Sequence, residues 1–314
     1  MFDTCNVKDG HVYGLDFHID RILSSATKAR IDTSKLSKER MRQIILSTIS
    51  ASKRSDDIFV RYWLSAGRGD FGVSSSGCDG GSQFYVMVHK DVHNHDDKET
   101  RVPRRAVSIS TSSIPEKPPL LATTKSNNYM INAIVALEAE RLGGDFGLQI
   151  DVDSDTILES SVSCVAIVNR HGCLVTPTFD RVLPSTWCSR SWCSRLFHCI
   201  THSYHRNVRS KIQRKLNSRS NTGTTLKRLI DEYVPDLIQR GVLKDFCQRD
   251  VPVREVIESK EMFEFGGGWV HPVVSLDDLP IGDGKPGPVF DEICNLMVSE
   301  LSNKQYLDSI PLDS

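Results

Sequence analysis

The 314-residue sequence lacks any run approaching the roughly 18 apolar residues that a membrane-spanning helix requires. It also lacks a basic and then apolar leader segment at its start, and no two cysteines form a Cys-x-x-Cys pair. Excess charge is missing as well, since 39 Lys and Arg face 40 Asp and Glu. These absences argue against a membrane protein, a secreted precursor and a chain that binds polyanions through its net charge.

The composition is that of an ordinary globular protein, with 39% hydrophobic and 25% charged residues. The length favours two domains or one large domain. Nine cysteines, an odd number, are scattered without a secretory signal, which predicts reduced thiols in a cytosol-like compartment. We therefore expect a cytoplasmic location, with a missing upstream organellar targeting segment as the open alternative.

One segment departs from this balance. Residues 185–222 carry eight Lys or Arg and no Asp or Glu, so the rest of the chain has a net charge of −9. One hypothesis is a nucleic-acid-binding insert, because basic residues mixed with aromatic ones grip phosphates and stack on bases. Another is a metal site built from Cys188, Cys193, Cys199, His202 and His205. The third, which we favour, is an insertion or translated non-coding segment outside the fold, so we predict neither a nucleic-acid partner nor a metal.

The first third of the chain predicts a small α+β unit. The patterns indicate a hairpin over 2–15, helices over 18–28 and 38–52 with Ser37 as the second N-cap, and strands over 58–66, 83–89 and 105–111. A proline-bearing linker over 112–124 follows. We accordingly predict a small domain over 1–111 and a large domain over 125–314, interrupted by the basic segment.

The large domain is predicted to open with an amphipathic helix over 127–142 that ends at Gly143. Two hairpins follow, over 146–161 and 165–177. After the basic segment we expect a helix over 225–239, short strands around Val251–Val256 (VPVREV), EMFEF and WVHPVVS, and a final helix over 289–301.

Seven pieces carry a resemblance across almost the whole chain outside 185–222. They are HIDRILSSA (18–26), FVRYWLSAGRGDFG (59–72), residues 124–168 from TKSNNY to VAIV, GCLVTP (172–177), GTTLKRLID (223–231), VPVREV (251–256) and FGGGWVHPVVSLDDLPIGDGKPGP (265–288). In this order they resemble the class IV, or fold type IV, pyridoxal-phosphate aminotransferases. This group includes branched-chain and D-amino-acid aminotransferases and aminodeoxychorismate lyase, and the chain is most similar to its plant-type branch.

The resemblance implies a two-domain enzyme of mixed α+β and α/β class, with a small N-terminal domain and a larger, β-barrel-like C-terminal domain. It further implies pyridoxal 5'-phosphate as the cofactor, an amino acid of branched-chain or D type and a 2-oxo acid as substrates, and a homodimer. Two alternatives stay open: a lyase on the same fold, and a catalytically impaired relative.

For the catalytic centre, the resemblance assigns the Schiff-base lysine to Lys125, the partner of the pyridine nitrogen to Glu159 and a hydrogen bond to the phenolic oxygen to Tyr129. The residue types suit these roles. An isolated lysine titrates near pH ~10.4, so a reactive amine requires desolvation and nearby positive charge. A carboxylate at the ring nitrogen keeps it protonated, so that the ring accepts electrons from the substrate.

For the phosphate, the resemblance assigns Arg21, whose planar fork suits a phosphate dianion. Thr224 and Thr225 open a predicted helix, where N–H groups and the helix dipole favour an anion. Gly266 and Gly267 allow a close approach of the backbone.

For the substrate, the resemblance assigns Arg61 to the carboxylate, and a strand places Phe59 on the same face as an apolar wall. His18 also matches the pattern, and we expect it to be structural.

The sequence departs from the family in three ways. The chain starts where the family has an upstream strand, so we expect an incomplete small domain. Cys164 stands where the family's E-G-S-S-S-N turn has asparagine, which removes an amide near the cofactor. The basic segment separates Pro184 from Gly223, which favours retained non-coding sequence over an evolved module and threatens the phosphate site.

Overall fold

The computed structural model describes residues 1–8, 10–54, 58–70, 72–90, 101–178, 229–266, 269–301 and 307–310. The basic segment over 185–222 lies outside these residues, as do Thr224, Thr225 and Gly267 of the predicted phosphate site. In the part of the chain that is described, no helix has both the length and the apolar character needed to cross a membrane.

The first sheet is antiparallel, and helices α1 and α2 pack on one of its faces. Its strands, in the order β14-β2-β1-β3-β4, are β1 (Phe2–Lys8), β2 (His11–Tyr13), β3 (Ile58–Ser65), β4 (Gln83–Lys90) and β14 (Leu307–Ser309), and its helices are α1 (Leu15–Lys28) and α2 (Lys38–Ser52). Residues of β1 and β3 alternate between the buried core and the opposite face. Val60 and Tyr62 pack in a core with Ile19 and Met41. Phe2 points to the opposite face of the sheet, where it contacts residues of the candidate site.

The second sheet has nine strands, with β13 attached to the side of β12 and the others in the order β10-β9-β8-β11-β12-β5-β6-β7. Its strands are β5 (Arg104–Ser110), β6 (Phe146–Asp151), β7 (Thr156–Ser160), β8 (Cys164–Val168), β9 (Cys173–Thr176), β10 (Asp245–Gln248), β11 (Glu261–Gly266), β12 (Trp269–Leu276) and β13 (Leu279–Pro280). Nearly every residue of β6, β7, β8 and β11 is buried, because apolar clusters cover both faces of this sheet.

Five helices accompany the second sheet within the described residues. They are α3 (Pro119–Ala122), α4 (Met130–Arg141), α5 (Val234–Gln239), α6 (Val253–Ile257) and α7 (Pro288–Leu301). A π-helical turn over Leu229–Tyr233 leads into α5, and a short 3₁₀ turn over Ser75–Gly77 lies between β3 and β4.

Local signals in the sequence account for several element ends. Ser37 caps α2 as predicted, because its hydroxyl accepts a hydrogen bond from the N–H of Arg40 at 3.2 Å. Gly143 ends α4 as predicted: it has a φ of 76°, a left-handed conformation that glycine adopts without strain. The N–H of Gly144 then donates to the carbonyl of Ala139 and closes the helix. The predicted hairpin across Asp155 is also present between β6 and β7.

Three predictions require correction. The strand predicted over 105–111 exists as β5, but it pairs in parallel with β6 and β12 of the second sheet instead of completing the small unit. The VPVREV segment is not a strand, because the N–H of Glu255 bonds back to the carbonyl of Pro252 and starts α6. Helix α4 begins at Met130, so Lys125 and Tyr129 both precede it. The division into two domains stays a prediction, with β5 on the large-domain side.

Candidate active site

Lys125 lies between α3 and α4, where the two sheets meet. Its backbone N–H donates to the hydroxyl of Ser25 in α1 at 3.0 Å. Its carbonyl accepts a hydrogen bond from the N–H of Phe2 at the start of β1, at 3.4 Å. Both partners belong to the first sheet unit, so the lysine is held at the seam between that unit and the second sheet.

The side chain of Lys125 is set in an enclosed pocket. Its Nζ donates to the Tyr129 hydroxyl at 2.8 Å and lies 4.5 Å from the centroid of the Phe2 ring. Burial, followed by the positive charge of Arg21, lowers the pKa of the amine to about 8, although the Asp3 and Glu159 carboxylates oppose the change. Lys125 therefore supplies neutral amine near physiological pH, as a nucleophile or base requires.

The pH dependence of Lys125 labelling follows from this environment. In the full-length chain, we expect trace acetylation of Lys125 by acetic anhydride to rise about tenfold per pH unit and to level off above about pH 8, because only the neutral amine reacts. Peptide mass spectrometry across pH 6–11 measures the midpoint. A midpoint near the ordinary lysine value of about 10.4 would contradict the enclosed environment.

Tyr129 presents an un-ionised hydroxyl to the lysine. Burial, and after it the charge of Glu159, raises the pKa of the phenol well above its usual value. The ring of Tyr129 also packs edge-on against Phe2, with centroids 5.1 Å apart. Tyr129 precedes the first residue of α4, and the non-helical backbone before it brings the two side chains together.

Glu159 lies near the end of β7 and is buried. Its Oε2 is 3.5 Å from Nζ of Lys117, a second buried lysine that the sequence did not predict at the site. The charges of both residues act on the Lys125 amine. Glu159 and Lys125, assigned to one site, therefore face the same pocket in the structure.

Arg21 lies near enough for its charge to act on both Lys125 and Tyr129, and Asp3 holds its guanidinium. Nε of Arg21 donates to Asp3 Oδ2 at 2.7 Å, and Nη2 donates to Oδ1 of the same carboxylate. His18 Nδ1 is 3.2 Å from Asp3 Oδ1. Two of the donor nitrogens of Arg21, Nε and Nη2, are therefore bound to Asp3, an acidic residue that the sequence analysis did not predict at the site.

Arg61 and Phe59 occupy successive positions on the open face of β3, but only Arg61 approaches the lysine. The Arg61 guanidinium lies 5.6 Å from the centroid of the Phe2 ring, and its Nε donates to the Thr4 hydroxyl at 3.0 Å. Phe59 stacks on His89 with centroids 5.6 Å apart. Because Trp63 rather than Phe59 pairs with Phe2, Phe59 lies farther along the strand, and no described contact joins it to Lys125.

The turn between β7 and β8 brings Cys164 into the pocket. Burial, followed by the charge of Glu159, raises the pKa of this thiol to about 12, so the thiol stays protonated. The turn is fixed by hydrogen bonds from Ser160 to Ser163 and from Ser163 to the buried Glu264. The thiol thus occupies a position that the resemblance gives to an amide.

Gly266 ends β11 beside this turn, since Phe265 pairs with Cys164. A Cβ at Gly266 would lie 2.8 Å from the Trp269 ring and 3.4 Å from Cβ of Ser163. The position therefore requires glycine for packing, whether or not it also approaches a phosphate.

Sequence comparison identifies the family described as "Amino-transferase class IV" over residues 1–191. The chain is 30% identical over 302 residues to the chloroplastic D-amino-acid transaminase of Arabidopsis thaliana, covering 96% of this chain and 68% of that protein. It spans 58% or less of the other curated relatives shown to match, which include a putative branched-chain-amino-acid aminotransferase of Methanocaldococcus jannaschii.

Solved structures agree on the fold. The branched-chain amino acid aminotransferase of Escherichia coli superposes with a TM-score of 0.73 at 18% identity, covering 99% of this chain and 90% of that one. The branched-chain amino acid aminotransferase of Thermobaculum terrenum, solved in its PLP form, gives a TM-score of 0.68 at 16% identity, covering 99% and 89%. These likenesses confirm the expected fold class.

Proposed function

The chain belongs to the class IV aminotransferase family, and we propose that Lys125 is the catalytic amine of a transaminase that moves an amino group between an amino acid and a 2-oxo acid. The observation that carries this proposal is the position of the Lys125 Nζ, 2.8 Å from the Tyr129 hydroxyl and 4.5 Å from the centroid of the Phe2 ring, in surroundings that lower its pKa. A surface lysine would be protonated almost completely at neutral pH.

The side chains around Lys125 fit pyridoxal 5'-phosphate. An amine, a phenol, a carboxylate and a guanidinium face one pocket, and they match the aldehyde, phenolic oxygen, ring nitrogen and phosphate of that cofactor. We assign these contacts to Lys125, Tyr129, Glu159 and Arg21 in that order. By the resemblance, we also propose that Thr224, Thr225, Gly266 and Gly267 bind the phosphate. When bound, the cofactor supplies an electron-accepting ring for the substrate Cα.

The surroundings of Lys125, Tyr129 and Arg61 suggest the part that each residue has in the reaction. The neutral Lys125 amine would take the proton from the substrate Cα and deliver it to the carbon that comes from the cofactor's aldehyde, a transfer favoured by a pKa close to the working pH. The Tyr129 hydroxyl orients this amine. We propose that Arg61 receives the substrate carboxylate and that the Phe2 ring, which both Arg61 and Lys125 approach, provides an apolar surface beside it.

The substrate class is proposed from the relatives. The relative that aligns over 96% of this chain is named a D-amino-acid transaminase, so we propose D-amino acids as the preferred donors, with branched-chain amino acids as the second choice.

We propose a thiol-reducing compartment such as the cytosol, which is supported by the six cysteines of the described residues, all free thiols.

We also propose a homodimer, supported by an apolar stripe on α4. Met130, Ile134 and Leu137 follow helical spacing and are 72%, 42% and 63% exposed, respectively. Sedimentation of the full-length chain at micromolar concentration tests this proposal. A species of twice the 35.2 kDa chain mass is expected, and a monomer throughout the concentration range would overturn it.

The assay for function uses the full-length chain loaded with pyridoxal 5'-phosphate. It is offered D- and L-amino acids, each with and without 2-oxoglutarate, and the amino and oxo products are separated by chromatography. We expect catalytic turnover only when the 2-oxo acid is present, because a transaminase requires an acceptor to complete its cycle. Aminodeoxychorismate is offered separately without an acceptor, and continuous release of pyruvate from it would instead indicate the lyase. No turnover of any of these substrates in a folded sample would indicate the impaired relative.

A further inference from the structure

Lys117 is a buried cation that the proposed mechanism does not use. It precedes α3, and 9% of its side chain is exposed. Its Nζ lies 3.5 Å from Oε2 of Glu159, whose side chain is 10% exposed. The same Nζ lies 5.6 Å from the centroid of the Tyr129 ring. Lys117 thus contacts two of the residues to which we assign the cofactor.

The pairing with Glu159 gives only a weak structural reason for a lysine at this position. Two charges lose hydration when they are buried, and apolar residues of similar size often replace such a pair without loss of stability. The role proposed for Glu159, however, gives a functional reason for a positive charge beside its carboxylate. Held from one side by an ammonium, it is kept in one orientation, as partner to a ring nitrogen.

Lys117 and Lys125 both approach the ring of Tyr129. Nζ of Lys125 is 5.0 Å and Nζ of Lys117 is 5.6 Å from the centroid of this ring. The charged groups that act on Lys125 include Arg21 and Lys117, which favour its neutral form, and Asp3 and Glu159, which favour its protonated form. The neighbouring Tyr129 hydroxyl and Cys164 thiol are un-ionised.

We propose that Lys117 is a positioning residue of the active site, whose ammonium fixes the Glu159 carboxylate and whose charge favours the unprotonated form of Lys125. The proposal rests on the proposed function. Replacing Lys117 with a neutral residue removes a positive charge that acts on Lys125 and also removes the ammonium that lies 3.5 Å from Glu159 and offsets part of its negative charge. Both effects favour the protonated amine, so they act in the same direction.

The test compares the pH midpoint of Lys125 acetylation in full-length chains with Lys117→Gln, Lys117→Arg and, as a surface control, Lys285→Gln. For Lys117→Gln we expect the midpoint to rise by about half a pH unit or more, since Lys117 is one of the positive charges that act on Lys125 and charges interact more strongly inside a protein than in water. Lys117→Arg keeps the charge and is expected to restore the wild-type midpoint. The exposed Lys285 variant is expected to leave it unchanged.

An unchanged midpoint in Lys117→Gln overturns the proposal, as does an equal rise in Lys117→Arg, since the latter indicates a packing defect. If the glutamine variant does not fold by circular dichroism, Lys117→Met, which keeps the unbranched stem, takes its place under the same criteria. Acetylation needs no cofactor, so this result is independent of the transaminase assay. A wild-type chain that lacks turnover yet shows the Lys117 effect would overturn the proposed function alone.

Discussion

Lys125→Ala is expected to lower the rate of amino transfer by about 10⁴-fold and to abolish the visible absorbance that bound pyridoxal 5'-phosphate gives to the wild-type chain. The variant loses the amine to which we assign both the bond to the cofactor and the transfer of the substrate proton, together with its hydrogen bond to the Tyr129 hydroxyl. The fold should survive, because both hydrogen bonds that tie residue 125 to the first sheet unit use its backbone.

The measurement is single-turnover kinetics with the preferred donor, together with absorbance titration by the cofactor and a thermal unfolding curve. Lys285→Ala serves as the matched control, since it removes an exposed lysine remote in sequence from the site, and it should retain the wild-type rate. If the rate of amino transfer in folded Lys125→Ala fell by less than about tenfold, the amine would not be required for the reaction.

Asp3→Asn is expected to destabilise the chain by about 3–5 kcal/mol at pH 7, because it leaves the Arg21 guanidinium enclosed without its counter-charge. The Asp3 side chain is 1% exposed and that of Arg21 is 14% exposed. Asp20→Asn is the matched control. Asp20 forms a more exposed pair with Lys38, with exposures of 41% and 28%, and its loss should cost no more than about 1 kcal/mol.

The effect of Asp3→Asn should depend on pH. Burial alone would raise the pKa of Asp3, but Arg21 and His18 outweigh burial and hold it well below its usual value. The stability that Asp3 contributes is therefore present in full above the unfolded-state pKa of about 3.9 and declines as the pH falls below it. Urea unfolding of the full-length chain at pH 7 and pH 3 measures this, and a difference between wild type and Asp3→Asn that is as large at pH 3 as at pH 7 would refute the ion-pair explanation.

Much of the local structure could be predicted because it depends on short-range chemistry. Ser37 caps a helix with its own hydroxyl, and Gly143 ends one with a backbone conformation that suits glycine. The partners of β5 could not be predicted in this way. They are β6 and β12, the second more than 150 residues away in sequence, and a parallel pairing leaves no turn between the strands as a signal.

The VPVREV segment shows the opposite limitation. Its valines favour a strand by propensity, whereas Pro252 precedes the first helical residue and the short helix α6 forms with Val256 in the core. The contacts of the completed fold outweigh a weak local preference.

At the site, the family pattern named Lys125, Tyr129, Glu159 and Arg21. It did not name Asp3 and Lys117, the charged residues that contact Arg21 and Glu159. Asp3 had a usable signal, because it shares the inward face of β1 with Cys5 and Val7, where a charged residue requires a partner. Lys117 had a weaker signal, a lysine between prolines in the segment before the catalytic lysine. Its pairing with Glu159 joins residues 42 positions apart, which local sequence does not reveal.

The central claim is that Lys125 forms the covalent bond to the cofactor. Its most direct test is reduction of the full-length chain with borohydride in the presence of pyridoxal 5'-phosphate, followed by peptide mapping by mass spectrometry. The predicted result is the reduced cofactor attached to Lys125. Attachment to Lys117 or another lysine instead, or the absence of any labelled lysine in a folded sample, would contradict the claim.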